Sequence, residues 1–360
     1  MKIDKPFLYI SITLFCIGLV ILGSASAVLA EKNYQNTYYY ILHQLLYGGT
    51  LGLLGFFLGM RIPFSFWRKM AVPLMLFSLI LSALLFMPQL GVTHGGAVRW
   101  LALGPFSFQP SEVLKFAFIV YLASWLESKR EHLGDFSSAF IPFIIIMAIV
   151  SVFLIMQPDI GTLGVMILSA VILYFFGGGK ISQFATLVVL GLVMLFLLIQ
   201  LAPYRLDRLT VFLNPGSDPQ GKGYQINQAF IAIGSGGFSG VGFGGSREKY
   251  SYLPEPIGDS IFAIFAEEFG FFGAVVLLSL FLMFLWRGFH IAARAPTVFG
   301  KFLAIGLTSS IVIQSFINIG AISGLLPLTG IPLPFVSYGS TSLVMTMAIV
   351  GVMLNISKHA

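Results

Sequence analysis

Apolar stretches long enough to cross a bilayer recur along the whole chain, at 7–30, 38–60, 70–88, 111–127, 139–157, 160–178, 182–202, 259–286, 299–325 and 335–356. A hydrocarbon core about 30 Å thick is spanned by about 20 helical residues, so about ten transmembrane helices are expected. Helices are the expected element because backbone exposed to lipid must satisfy its own hydrogen bonds. The two-residue alternation of a membrane barrel is absent. Composition agrees: 57% of the 360 residues are hydrophobic and 9% are charged, against roughly 25% charged in soluble domains. Such a chain could not cover itself with a polar exterior. The expected fold class is an all-α integral membrane protein, one polytopic domain over residues 1–360.

Charge sets the expected orientation. With the N-terminus on the cytoplasmic side, the cytoplasmic segments hold Lys2, Lys5, Arg61, Arg68, Lys69, Lys129, Arg130, Lys180, Arg287, Arg294, Lys301 and Lys358. The short outer loops hold only Lys32 and Arg99. Basic residues in short loops favour the cytoplasmic side, so an even number of spans with both termini cytoplasmic is expected. The net charge of +6 is spread singly through these loops, and no nucleic-acid partner is expected. Phe7 to Ala30 ends in a small-residue run like a signal-peptide cleavage site, but it is longer than the usual 7–15 residue apolar core, so a retained helix is expected. Two outer loops are prominent, at about 89–110 and 203–258, the latter between helices seven and eight. A proline-rich piece at 326–334 is expected to dip back under protein cover.

Ionisable groups inside spans are costly enough to ask for a reason. Glu112 and Lys115 lie three apart at the start of the fourth helix, where they can pair or line a cavity for a charged lipid head. Asp159 and Asp259 sit at the outer mouths of helices six and eight. Each has a plain reading as a helix N-cap; Asp259 also suits a general base whose pKa is moved by partial burial. Glu267 and Glu268 point about 100° apart and need partners or a proton, with a proton relay as the functional alternative. Arg99, Arg205, Arg208, Lys222, Arg247 and Lys249 could receive a phosphate, since arginine contacts it bidentately. The glycine run 234–245 follows no strand, so a nucleotide loop fails on context and a flexible loop with tight turns is expected. Cys16 is a lone apolar-run residue, and His43, His94, His132, His290 and His359 are scattered.

Four strings then resemble one family in order. GGAVRWLALGPFSFQPSEVLK (Gly95 to Lys115), QPDIGT (Gln157 to Thr162), RLDRLTVFLNP with GYQINQAFIAIGSGGFSGVGFGGSREKYSYLPEPIGDSIFAIFAEEFG (Arg205 to Gly270), and GIPLPFVSYGSTSL (Gly330 to Leu343) are similar to the SEDS (FtsW/RodA/SpoVE) family. Within it the chain is most similar to the FtsW branch. The resemblance implies a peptidoglycan glycosyltransferase that polymerises lipid II at the outer face of the cytoplasmic membrane. It implies a class B penicillin-binding protein as partner, within the divisome or elongasome. The family's proposed catalytic aspartate matches Asp259; its PSE-x-x-K acid and base match Glu112 and Lys115, and its QPD aspartate matches Asp159. No cofactor is certain, although a pyrophosphate leaving group needs positive charge or a divalent cation (Mg or Mn) nearby. Two departures stand out: Ile257-Gly258 replaces a frequent His-Thr pair, and Asn214 replaces a frequent aspartate. A lipid II flippase and a scaffold that only activates a partner synthase are the rival functions.

Overall fold

A computed structural model describes residues 3–87, 90–94, 97–103, 106–201, 203–218, 220–221, 223–250 and 252–359. Among them, eight helices are long and apolar enough to cross a membrane: α1 (Lys5–Tyr34), α2 (Tyr39–Arg61), α5 (Phe136–Met156), α6 (Ile160–Gly177), α7 (Ile181–Gln200), α10 (Ile261–Arg294), α11 (Val298–Ile322) and α12 (Ser340–Lys358). The stretches at 70–88 and 111–127 form the 14-residue α3 (Ala71–Leu84) and the 19-residue α4 (Pro110–Ser128). α4 carries Glu112, Lys115 and Glu127 but buries the first two among its neighbours. Polar groups at membrane depth are tolerable when protein, not lipid, surrounds them.

Local signals explain the ends. Asp4 caps α1, its Oδ1 accepting from Phe7 N at 2.9 Å, and Pro6 sits in the first turn, where its missing N–H costs nothing. α1 runs unbroken through Ser24-Ala-Ser-Ala, and Phe7, Leu14, Ile21, Ala25 and Ala30 are fully buried. α2 meets α12 through Gly52, Gly55 and Gly59; a Cβ at Gly59 would stand 2.7 Å from Ala348 O. Small residues let membrane helices approach where no hydrophobic drive exists between them.

The buried centre is α11. It carries Thr308, Ser309, Ser310, Gln314, Ser315 and Asn318, all buried. The two ends of the bundle differ. At one end Asp4 pairs with Arg287, Asp4 N donates to Ser357 Oγ at 3.1 Å, and Arg68 pairs with Glu127 at 2.7 Å. The first and last described turns of the chain therefore lie at this end. The opposite end holds the connections before α4, α10 and α12.

These connections are more structured than loops. The segment 89–110, expected as a loop of an all-α protein, holds an antiparallel three-stranded sheet: β1 (Gly91–His94), β2 (Ala97–Leu103) and β3 (Phe106–Phe108), with an irregularity between Val92 and Thr93. The segment 203–258 holds α8 (Pro203–Leu213) and α9 (Tyr224–Gly236). Helix α12 starts at Ser340 rather than 335, because 331–336 is a mostly buried strap that ends in a turn at 334–336, with Phe335 at φ 67°. A Cβ at Gly18 would lie 2.1 Å from Phe335 O, so the strap runs directly against α1.

The stretch expected as one helix over 259–286 is broken at Gly270 (φ 65°, ψ −164°) and continues to Arg294. A break frees backbone groups that lipid cannot satisfy. The glycine run supplies the partners: Val241 N donates to Glu267 O (3.0 Å), Gly242 N to Glu268 O (3.1 Å), Phe271 N to Gly237 O (2.9 Å) and Phe272 N to Phe238 O (3.2 Å). The run is thus docked backbone-to-backbone on α10, which overturns the flexible-loop expectation. Added methyls do not fit: a Cβ at Gly240 would meet Glu268 O at 2.1 Å, and one at Gly270 would meet Gly240 N at 2.3 Å. Gly270→Ala combines this clash with an unfavourable positive φ. It is expected to destabilise the fold by about 2–4 kcal/mol, read as a lowered thermal midpoint in detergent. An unchanged midpoint would contradict the docked arrangement.

Candidate active site

Asp259 lies just before α10, at the sheet end of the bundle. It is not the N-cap: Ser260 holds that place and no side chain caps the helix. Its carboxylate instead faces a cavity of about 330 Å³ whose wall includes Asp207, Arg208, Gln225, Phe230, Leu328 and Gly330. Asp259 Oδ1 accepts from Gln225 Nε2 at 3.3 Å and from Ser260 Oγ at 3.4 Å. Arg208 Nη1 donates to Leu328 O at 2.9 Å. Burial pushes the Asp259 carboxyl up to about 6, helped by the charge of Glu255; the Gln225 hydrogen bond and the Arg208 charge oppose the rise without cancelling it.

The backbone around Asp259 is clamped. Asn318 Nδ2 on α11 donates to Asp259 O and to Ile331 O, both at 2.8 Å. Ser337 Oγ donates to Gly258 O at 2.6 Å, and Tyr338 N to Ile257 O at 2.8 Å. Ile257 and Gly258 thus meet the strap through their backbone carbonyls. Gly330 (φ 71°) leaves the cavity open: a Cβ there would lie 3.9 Å from both Asp259 Oδ2 and Arg99 Nη1. Arg99, on β2, reaches over to donate to Pro158 O. Its buried Nε has no hydrogen-bond partner among the described residues, so part of the guanidinium is uncommitted.

A second set lies one helical turn along α11. Lys115 Nζ bonds Glu112 at 3.0 Å and also Gln314, and Gln314 Nε2 donates to Pro332 O at 2.9 Å. Asp159 does cap α6 through Thr162 N (3.2 Å), while its other oxygen accepts from Ser111 Oγ at 3.1 Å. Gln314 and Asn318 are four apart and share a face. Through them α11 ties the Glu112–Lys115 pair and the Asp259 backbone to the same strap, 331–332.

The other sequence candidates form a separate cluster. Lys249 is buried and its Nζ is used by Ser24 Oγ (2.9 Å), Gly244 O (2.7 Å) and Glu268 Oε1 (3.0 Å). Glu268 Oε1 also accepts from Ser24 Oγ at 2.5 Å. Glu267 accepts from Ser246 Oγ (2.5 Å) and Arg247 N (2.9 Å). The Arg247 side chain is exposed, and neither Arg247 nor Lys249 lines the cavity. The Arg205 side chain and Lys222 lie outside the described residues. Gln225, Gln314, Asn318 and Gly330 were not singled out from the sequence. The one signal available was an amide within an apolar helix, at Gln314 and Asn318.

The arrangement defines a class: a multi-pass helical membrane protein with a carboxylate cavity at one end of the bundle, rimmed by arginine. The chain belongs to the FtsW/RodA/SpoVE family, described as "Cell cycle protein", which matches residues 5–360. It is 41% identical to stage V sporulation protein E of Bacillus subtilis (strain 168), over 99% of this chain and 97% of that protein. It is 38% identical to a probable peptidoglycan glycosyltransferase FtsW of Geobacter sp. (strain M18), over 99% and 97%. Among solved structures it is similar to a chain of a peptidoglycan synthase complex that coordinates polymerisation and crosslinking, with a TM-score of 0.80 at 29% identity, covering 99% of this chain and 98% of that one. Thermus thermophilus rod shape determining protein RodA matches with a TM-score of 0.73 at 27% identity, covering 99% and 97%.

Proposed function

We propose that the chain is a peptidoglycan glycosyltransferase, one polytopic domain that polymerises lipid II at the outer face of the cytoplasmic membrane. The observation that carries this reading is Asp259: a carboxylate with its pKa raised to about 6, in a cavity walled in part by Arg208, with Arg99 reaching toward Gly330 of the same wall. Such a group is poised to accept a proton near neutral pH. The acceptor sugar's 4-hydroxyl gives its proton to Asp259 as its oxygen bonds the donor's anomeric carbon. The bond from that carbon to the phosphate oxygen breaks, and the electron pair leaves with undecaprenyl pyrophosphate. Arg99 and Arg208 stabilise the charge that develops there, and the Glu112–Lys115 pair with Asp159 shapes the lipid-head side.

Among the described residues no group of three or more acidic, His or Cys side chains could hold a metal ion alone. Magnesium is commonly held by one or two carboxylates plus phosphate oxygens. Asp207 also lines the cavity, so a divalent cation would sit there only with the substrate's pyrophosphate, supplying charge neutralisation. The termini end, rich in Arg61, Arg68, Lys69 and Arg287, is cytoplasmic by the same charge rule. Partners are a class B penicillin-binding protein, which cross-links the strands, and further divisome or elongasome proteins.

A pH–rate profile with lipid II tests the assignment. A base must be ionised, so kcat/KM is expected to rise with pH through about 6. Glu255 raises the Asp259 pKa by its charge, so Glu255→Gln moves this limb to lower pH. A limb that stays in place, or moves up, would contradict Asp259 as the titrating base.

A further inference from the structure

At the termini end, away from Asp259, a concavity of about 460 Å³ opens between the start of α1 and the last turns of α10, with Asp4, Lys5, Arg287, His290, Ile291 and Arg294 on its wall. We propose that it binds the phosphodiester headgroup of an anionic membrane lipid. Arg287 and Asp4 pair with one another and neutralise each other. Lys5 and Arg294 are exposed and have no ion-pair partner among the described residues. The wall therefore carries two uncompensated cations, plus His290. Each has a bland reading: Lys5 and Arg294 serve as topology signals, and Arg294 also complements the C-terminal dipole of α10. Neither reading requires that they converge on one concavity.

The depth is right for lipid. Trp286 is 64% exposed on the outer surface of α10, and the Arg287 guanidinium stands 5.3 Å over its ring. Exposed indoles and guanidiniums sit at the headgroup level of bilayers. A lipid phosphate between Lys5 and Arg294 would place its glycerol against Ile291 and its tails along α10. A zwitterionic head brings its own cation and gains less. The site ties together the ends of three helices, because Asp4 N also donates to Ser357 of α12.

The test needs no catalytic readout. The full chain in detergent is mixed with equal amounts of dioleoylphosphatidylglycerol and dioleoylphosphatidylcholine, and retained lipids are counted by native mass spectrometry. Two surface cations give roughly a 30-fold preference for the anionic lipid. Lys5→Gln/Arg294→Gln is expected to remove most of that preference, while Lys129→Gln/Arg130→Gln, which removes the same charge elsewhere, leaves it. Matching thermal melts of the two variants show that folding is unchanged; Arg294→Gln alone serves if the double variant melts early, and it should lose about half of the preference in free-energy terms. Equal retention by wild type and the Lys5/Arg294 variant would overturn the site. So would equal losses in both variants. Displacement of the lipid by inorganic phosphate alone would overturn the lipid assignment in favour of free phosphate.

Discussion

Asp259→Ala is expected to lower the rate of glycan polymerisation by about 10²–10⁴-fold, the range for a positioned general base. The loss should fall on kcat and kcat/KM together, because the proton moves only in the transition state. Asp259→Asn separates chemistry from folding. The carboxyl's pKa is raised from 3.8 to about 6 by burial and by Glu255, so the native state prefers it neutral. Its destabilising effect is absent below pH about 4, grows as pH rises through about 6, and is full above that. An asparagine of the same shape carries no charge. The Asn variant is therefore expected to be as inactive as the Ala variant, yet to melt above wild type at pH 7.5, with the gap closing near pH 4. An inactive variant that melts well below wild type at pH 7.5 would indicate a structural role instead.

The second large effect lies in the buried cluster on α10. Lys249→Met leaves the Glu268 carboxylate buried with only hydroxyl and backbone partners. Breaking a buried ion pair from one side costs about 3–5 kcal/mol. Replacing both partners removes the stranded charge, so Lys249→Met/Glu268→Gln should recover most of that loss. Thermal unfolding of the two single variants and the double gives the cycle. The same pair holds the glycine run against α1 through Ser24, so the single variant should also expose 238–250 to protease. A double variant no more stable than the worse single would contradict the pairing.

How far the sequence revealed these features depends on distance along the chain. The long apolar stretches became helices because lipid leaves no other choice for the backbone. The Glu112–Lys115 contact was legible because a three-residue spacing fixes a shared helix face. Asp159 as a cap was equally local. The Gly270 break was not legible, since its compensation comes from residues some thirty positions earlier, at 237–242. The sheet at 91–108 was hidden by glycines and prolines that read as loop. Lys249 looked like a loop cation and is an interior one, because its partners Ser24 and Glu268 lie on two other elements. Asn318 and Gln314 were not singled out, because only the folded strap 331–332 shows what they hold.

The most direct test is to reconstitute the purified chain, with and without the proposed class B penicillin-binding protein partner, in liposomes carrying fluorescent lipid II on their outer leaflet. Product length and leaflet distribution are followed together. The proposed reading predicts a ladder of muramidase-sensitive glycan strands with wild type, no ladder with Asp259→Asn, and no movement of lipid II across the bilayer. Lipid II that crosses the membrane with no ladder from wild type, or a ladder that persists in Asp259→Asn, would contradict it.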